Sequence, residues 1–150
     1  MNKLLCSALL VAACAQQQQA YRFALAQPPS GIIDKISTAL TSAGQSVAAT
    51  NPGAGIVQTE WRDTGFGYGF VQGAAATVVR RYVVTVSQQP TTTVVQVRAD
   101  VQKCAQATVR PTEVIGTCEP MDGLVPKHQD ELNVLGAQLK QSLGGAVIAN

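Results

Sequence analysis

The chain has 150 residues, enough for one domain with a short tail. Charged residues make up only 13% of it, against roughly 25% in an ordinary soluble domain. Eleven Lys and Arg stand scattered among nine acids for a net charge of +2, which disfavours a nucleic-acid binder, and a hydrophobic content of 46% excludes global disorder. A single histidine, His128, excludes a three-His zinc site and leaves one candidate for a His-dependent triad. The composition argues against most hydrolases, and no cofactor, no metal and no enzymatic activity are expected.

The chain opens Met1-Asn2-Lys3 and then runs apolar from Leu4 to Ala13. A short positive start followed by a brief apolar run reads as a secretory signal. It is too short for a membrane-spanning helix, which needs about 20 residues. The run ends Val11-Ala12-Ala13-Cys14, which resembles the lipobox of bacterial lipoproteins. The resemblance implies a signal peptide over residues 1–13, cleavage before Cys14, and palmitate-type acylation of the Cys14 thiol. Each buried CH₂ contributes about 0.8 kcal/mol, and stable anchoring needs more than one chain, a condition that a multiply acylated cysteine meets. The alternative is an ordinary secretory signal cut elsewhere, or a short buried helix. Ala15 stands where an Asp commonly marks inner-membrane retention in Gram-negative lipoproteins, so the resemblance implies an outer-membrane anchor facing the periplasm.

Residues 14–29 read as a flexible lipidated tether, with a glutamine run at Gln16–Gln19 and prolines at 28 and 29. Within it Tyr21, Phe23 and Leu25 alternate, so a short strand is open there. Residues 30–150 read as one domain. Ser30 is placed as an N-cap for a helix carrying Ile32, Ile33, Ile36, Leu40 and Ala43, which Gly44 ends. After a turn at Thr50–Gly53, Gly55–Trp61 reads as a strand with Val57, Thr59 and Trp61 on one face.

The segment Thr64–Gly73 lacks both the third glycine of a dinucleotide fingerprint and the Gly-Lys-Ser/Thr of a phosphate loop. It reads as a hairpin connection, or more sharply as a recognition loop exposing Phe66, Tyr68 and Phe70. Thr77–Val86 and Thr92–Lys103 read as long strands joined by a turn at Gln88–Thr91. The second alternates cleanly, implying one core face and one wet face. Arg80 and Arg81 must point to opposite faces, and snorkelling at a sheet edge is the favoured reading for the one on the core side. Val114-Ile115 reads as a short fourth strand. In an oxidising compartment Cys104 and Cys118 form a disulfide. Beyond Pro126 a last helix carries Leu132, Leu135, Leu139 and Leu143 in one stripe, stopped by Gly144-Gly145.

These elements give an α+β fold: a two-layer helix, three- or four-stranded antiparallel meander and helix, with both helices on the apolar sheet face. The run from Ser30–Gly44 into Gly55-Ile56-Val57-Gln58-Thr59-Glu60-Trp61 resembles the helix-grip domains of the lipoprotein C subunit of the outer-membrane β-barrel assembly machinery. The resemblance implies a non-enzymatic accessory or interaction subunit of an envelope assembly, with an envelope protein as partner and the membrane reached through the lipid. Phe66, Tyr68, Phe70 and Trp61 are the candidate partner-binding residues. The alternative is a carrier for a lipid or other small apolar ligand between helix and sheet. His128 reads as a solvated residue at a helix start, because no nucleophile motif accompanies it. Glu60 and Asp63 read as rim charges rather than a glycosidic acid pair, and Trp61 as core or the edge of a pocket.

Overall fold

The computed structural model describes residues 20–26, 30–121 and 123–147. Its elements are β1 (Tyr21–Leu25), α1 (Ile32–Ser42), β2 (Val47–Asn51), β3 (Ile56–Thr59), β4 (Arg62–Val71), β5 (Ala74–Gln88), β6 (Thr93–Val109), β7 (Val114–Pro120), α2 (Pro126–Leu143) and β8 (Ala146–Val147). All eight strands join one antiparallel sheet. The expected helix–meander–helix α+β fold is thereby corrected: the body is mostly sheet, with two helices on it. The tether also ends earlier than expected, because Tyr21–Leu25 is a strand inside the sheet. The signal segment and Cys14 lie outside the described residues.

The spine is the β5–β6 hairpin, paired without a break from Gln88↔Thr93 to Ala76↔Ala105. Its β-branched run suits a pleated, half-buried surface. Each spine strand is longer than any strand on its outer side, so each outer edge holds two partners in succession. Beside β5 lie β3, opposite Val83–Thr85, and then β4, opposite Ala74–Arg80. Beside β6 lie β1, opposite Thr93–Val97, and then β7, opposite Gln102–Val109. The spine therefore has a proximal half near its turn and a distal half flanked by β4 and β7.

Both helices lie on one face. Phe23, Leu25, Val57, Val84, Val95 and Val97 from the sheet meet Ile36 and Leu40 of α1 and Leu132, Leu135 and Leu139 of α2, all buried. A helix can sit this close to β1 because of Gly136: a Cβ there would fall 2.2 Å from the Tyr21 ring. Gly44 ends α1 at φ 78°, with the amide of Gln45 bonded back to the Leu40 carbonyl, as the sequence leads one to expect. The N-cap is Gly31 rather than Ser30.

The glycine-aromatic segment forms β4, not a connecting loop. Its real turn is Gln72-Gly73, whose positive φ values of 48° and 81° match the type I′ geometry that lets a two-residue loop follow strand twist. The opposite sheet face carries a smaller cluster of Trp61, Val79 and Cys104, packed by Val109 and Val114 of the β6–β7 hairpin. The amide of Trp61 donates to the carbonyl of Pro111 at that hairpin's tip, so the hairpin folds back over the distal part of this face. Trp61 thus parts company with Val57, its expected face-mate: β3 stops at Thr59, and the turn before β4 hands the indole to the other side.

Candidate functional site

Parity along β5 places Arg80 on the helix face, in line with Val78, Tyr82 and Val84. Helical spacing places His128 and Glu131, one turn apart, at the start of α2 above it. Arg80 donates to the Glu131 carboxylate, and its Nη1 lies 3.2 Å from His128 Nδ1. His128 Nδ1 is also 3.2 Å from Glu131 Oε2. The Arg80 guanidinium stacks 4.7 Å from the Tyr82 ring centroid. Phe66 of β4 packs edge-on against the imidazole at 5.7 Å.

Neither sequence-based expectation for these residues survives. Arg80 does not snorkel at an edge: it lies on a central strand, with a side chain 14% exposed and paired. His128 is not solvated; its side chain is 1% exposed, and Nε2 has no partner among the described residues. A signal for this was present, since His128, Leu132, Leu135 and Leu139 share one helical stripe. Partial burial pulls the Glu131 carboxyl upward, but the hydrogen bonds and charges of Arg80 and His128 outweigh it and hold the group below the usual glutamate range. Burial raises the Tyr82 phenol, with Arg80 opposing. Beside this cluster runs an open groove of about 690 Å³, lined by Arg80, Tyr82, Glu131, Val134, Leu135 and Gln138. His128 meets Arg80, Glu131 and Phe66, so the arrangement stores paired charge.

The four expected partner-binding residues divide. Trp61 is buried under Arg81, whose guanidinium sits 4.8 Å from the ring centroid. Phe66 is half-buried against His128. Tyr68 and Phe70 are 44% and 70% exposed. Tyr68 lines a second open groove of about 480 Å³ with Lys103, Pro120, Met121, Leu124 and Pro126. Glu60 and Asp63 do not form a pair of acids over a substrate. Asp63 accepts from the Gly65 amide at 2.8 Å and from the Thr77 hydroxyl at 3.5 Å. The Glu60 amide donates to the Ser46 carbonyl. Among the described residues no cluster of His, Cys, Asp and Glu could hold a metal ion. The seam between helices and sheet is filled by Phe23, Ile36, Leu40, Leu132 and Leu139, each fully buried, so the two grooves lie at its rim rather than inside it.

The proximal part of the other sheet face is polar and held in order. Arg81 donates to Asp100 at 3.0 Å and to Gln58 at 3.3 Å. Arg98 pairs with Asp100 at 3.5 Å, and Arg22 donates to Gln96 at 2.8 Å. Among the described residues no helix lies over this face; both pack on the other one. Cys104 and Cys118, directly opposite one another in the β6–β7 pairing, form the expected disulfide with a Cα separation of 4.1 Å.

No family model matches the chain, and no curated protein matches its sequence. Among solved structures the chain is similar to a DUF4468 family protein from Bacteroides ovatus, at 11% identity and a TM-score of 0.41, with 87% of this chain and 89% of that one covered.

Proposed function

We propose that this protein is a periplasm-facing lipoprotein of the outer membrane, acylated at Cys14, that works as a non-enzymatic interaction subunit of an envelope assembly. Support for export comes from the lipobox-like Val11-Ala12-Ala13-Cys14 together with the Cys104–Cys118 bridge, since disulfides persist in oxidising compartments. The interaction role rests on one observation: Arg22, Arg81 and Arg98 stand on an open sheet face with their side chains already fixed by Gln96, Gln58 and Asp100. Side chains ordered before contact lose less entropy on binding, and arginine is enriched in protein interfaces. The fitting partner presents carboxylates or carboxamides.

Two measurements test this. Intact-mass analysis of membrane-extracted protein is expected to show diacylglycerol and an acyl chain on Cys14, and Cys14→Ser is expected to release the protein from membranes. A Cys14→Ser protein that is still processed and still partitions with membranes overturns the anchor. Arg81→Ala and Arg98→Glu are expected to abolish co-purification of the partner from mild detergent while membrane fractionation stays unchanged. Wild-type yields of the same partner from both variants overturn the role of this face.

A further inference from the structure

An anchor at Cys14, the proposed reading on which this inference rests, limits where the bilayer can lie. Cys14 and Tyr21 are separated by seven peptide steps, which span at most about 25 Å. The bilayer surface then lies within that distance of the first residue of β1. The direction in which the chain meets the sheet is also fixed. β1 pairs from Leu25↔Thr93 back to Tyr21↔Val97, so its amino-terminal end points along β6 toward the distal half of the spine. The next feature in that direction is Met121, whose amide bonds to the Val101 carbonyl, and with it the groove of Tyr68, Pro120, Leu124 and Pro126.

That same end gathers exposed apolar side chains. Among the described residues the exposed large hydrophobics are Tyr68, Phe70, Ile115 and Val134. The first three belong to β4 and β7, which flank the distal half; only Val134, on α2, does not. The β4–β5 tip adds a specific geometry. A register shift between Gly67 and Phe70 breaks the alternation, so Tyr68 faces the groove on the helix side while Phe70 stands opposite Ala75, in the row of Thr77 and Val79 on the other side. One aromatic ring therefore lies on each side of the ribbon tip. Phe70 lies one row beyond the Ala76–Ala105 pair, roughly 30 Å along the strands from the level of Tyr21, which exceeds the tether's maximum of about 25 Å, so a tether extended along the strands sets this ring about 5 Å past the bilayer surface.

We infer that the distal end of the sheet is the membrane-facing end, and that Tyr68 and Phe70 enter the headgroup region of the bilayer that holds the Cys14 lipid. Aromatic side chains favour that depth, with an apolar ring inward and any polar group toward water. The contact is apolar, since Lys103 at this end is already paired with Glu119 at 2.9 Å. It is thus insensitive to salt and needs no anionic lipid. The arginine face remains turned to the periplasm for a protein partner.

The test uses the full acylated protein in phosphatidylethanolamine vesicles, with and without brominated acyl chains. Phe70→Trp and Tyr68→Trp are compared with Gln89→Trp in the turn at the opposite end of the spine, and wild-type Trp61 fluorescence serves as the blank. Emission from Trp at 70 and 68 is expected to shift to shorter wavelength, and brominated chains are expected to reduce it roughly by half, as for a ring about 5–10 Å into the headgroup boundary. Gln89→Trp is expected to be unaffected, and added salt to change neither. If the protein floats with vesicles but Trp at 68 and 70 stays unquenched, or is quenched no more than Trp at 89, the inference fails and the lipid anchor stands. A blue shift at 70 that needs no lipid and grows with protein concentration overturns it in favour of a second copy. An unacylated Cys14 in a protein that does not float removes the anchor and the inference together.

Discussion

Between Tyr82 and Ala99 the β5–β6 spine lies beneath two helices, and its inward side chains meet Phe23, Leu40, Leu132 and Leu139 in one continuous core. Past Val78 and Val101, the last spine residues in that core, the same two strands meet no helix core of that size. They carry two small clusters, a disulfide, a hairpin folded back onto Trp61, and three exposed apolar side chains. The distal stretches are also poorer in β-branched residues, with Ala74–Ala76 on β5 and Gln102–Ala107 on β6, so propensity and burial change together along the hairpin. Stability in a sheet comes from what packs on its faces, and the two ends of one hairpin are packed by different means. The proximal half holds the body together by apolar area. The distal half is held by cross-links and bulges, and it presents surface.

Four variants put that contrast to the test. Leu139→Ala removes a fully buried side chain from the proximal core and is expected to cost about 2–5 kcal/mol, read as a lowered midpoint of cooperative denaturant unfolding with an unchanged slope. Replacing Cys104 and Cys118 together by Ala opens a loop of about 15 residues and is expected to cost on the order of 3 kcal/mol by chain entropy. The two halves separate in amide hydrogen exchange: protection is expected to fall in β7 and the end of β6 before it falls in β1. A uniform loss along β6 would show that the spine has no separable distal half.

Glu131→Gln tests the tie between α2 and the spine. The folded carboxyl titrates below its ordinary value of 4.5, so the ionised form contributes stability that is present above that range and is lost as pH falls through it toward the folded value. The side chain is 39% exposed and screened by solvent, so the expected cost near neutral pH is about 1 kcal/mol or less, and the acid limb of the stability profile is expected to flatten. A variant with the wild-type acid limb would remove Glu131 from that dependence. Phe70→Ala is expected to change stability within about 0.5 kcal/mol, because its ring is 70% exposed. A loss as large as that of Leu139→Ala would mean that the ribbon tip belongs to the core.

Periodicity carries much of the fold. The apolar stripes of α1 and α2, the spine hairpin, the glycine ends of both helices and the Cys104–Cys118 pairing are legible because each depends on local spacing or on compartment. Three features are not legible. β4 is hidden by its glycines, which read as loop until Arg62↔Arg80 and Val71↔Ala74 pairing places them beside β5. The place of β1 is hidden too: alternation of Tyr21, Phe23 and Leu25 allows a short strand inside the tether, but nothing local says that it will find β6. The shared edges, with two strands in succession on one side of each spine strand, depend on the relative lengths of segments far apart in the chain. The charge cluster is half legible: alternation along β5 puts one of two adjacent arginines inward, but its partners on α2 lie some 50 residues away.

Spacing along the chain is enough to say which segments are apolar on one side and where the chain turns, because these depend on neighbours within a few residues, and compartment says which two cysteines of the body can bridge. Only packing between distant segments decides that His128 is buried, that Arg80 is matched by Glu131, that Trp61 crosses to the other face, and that Phe66 turns inward while Tyr68 and Phe70 stay outside. Each of those outcomes is set by which surface arrives opposite the residue once distant strands and helices pack, and no spacing along the chain encodes that.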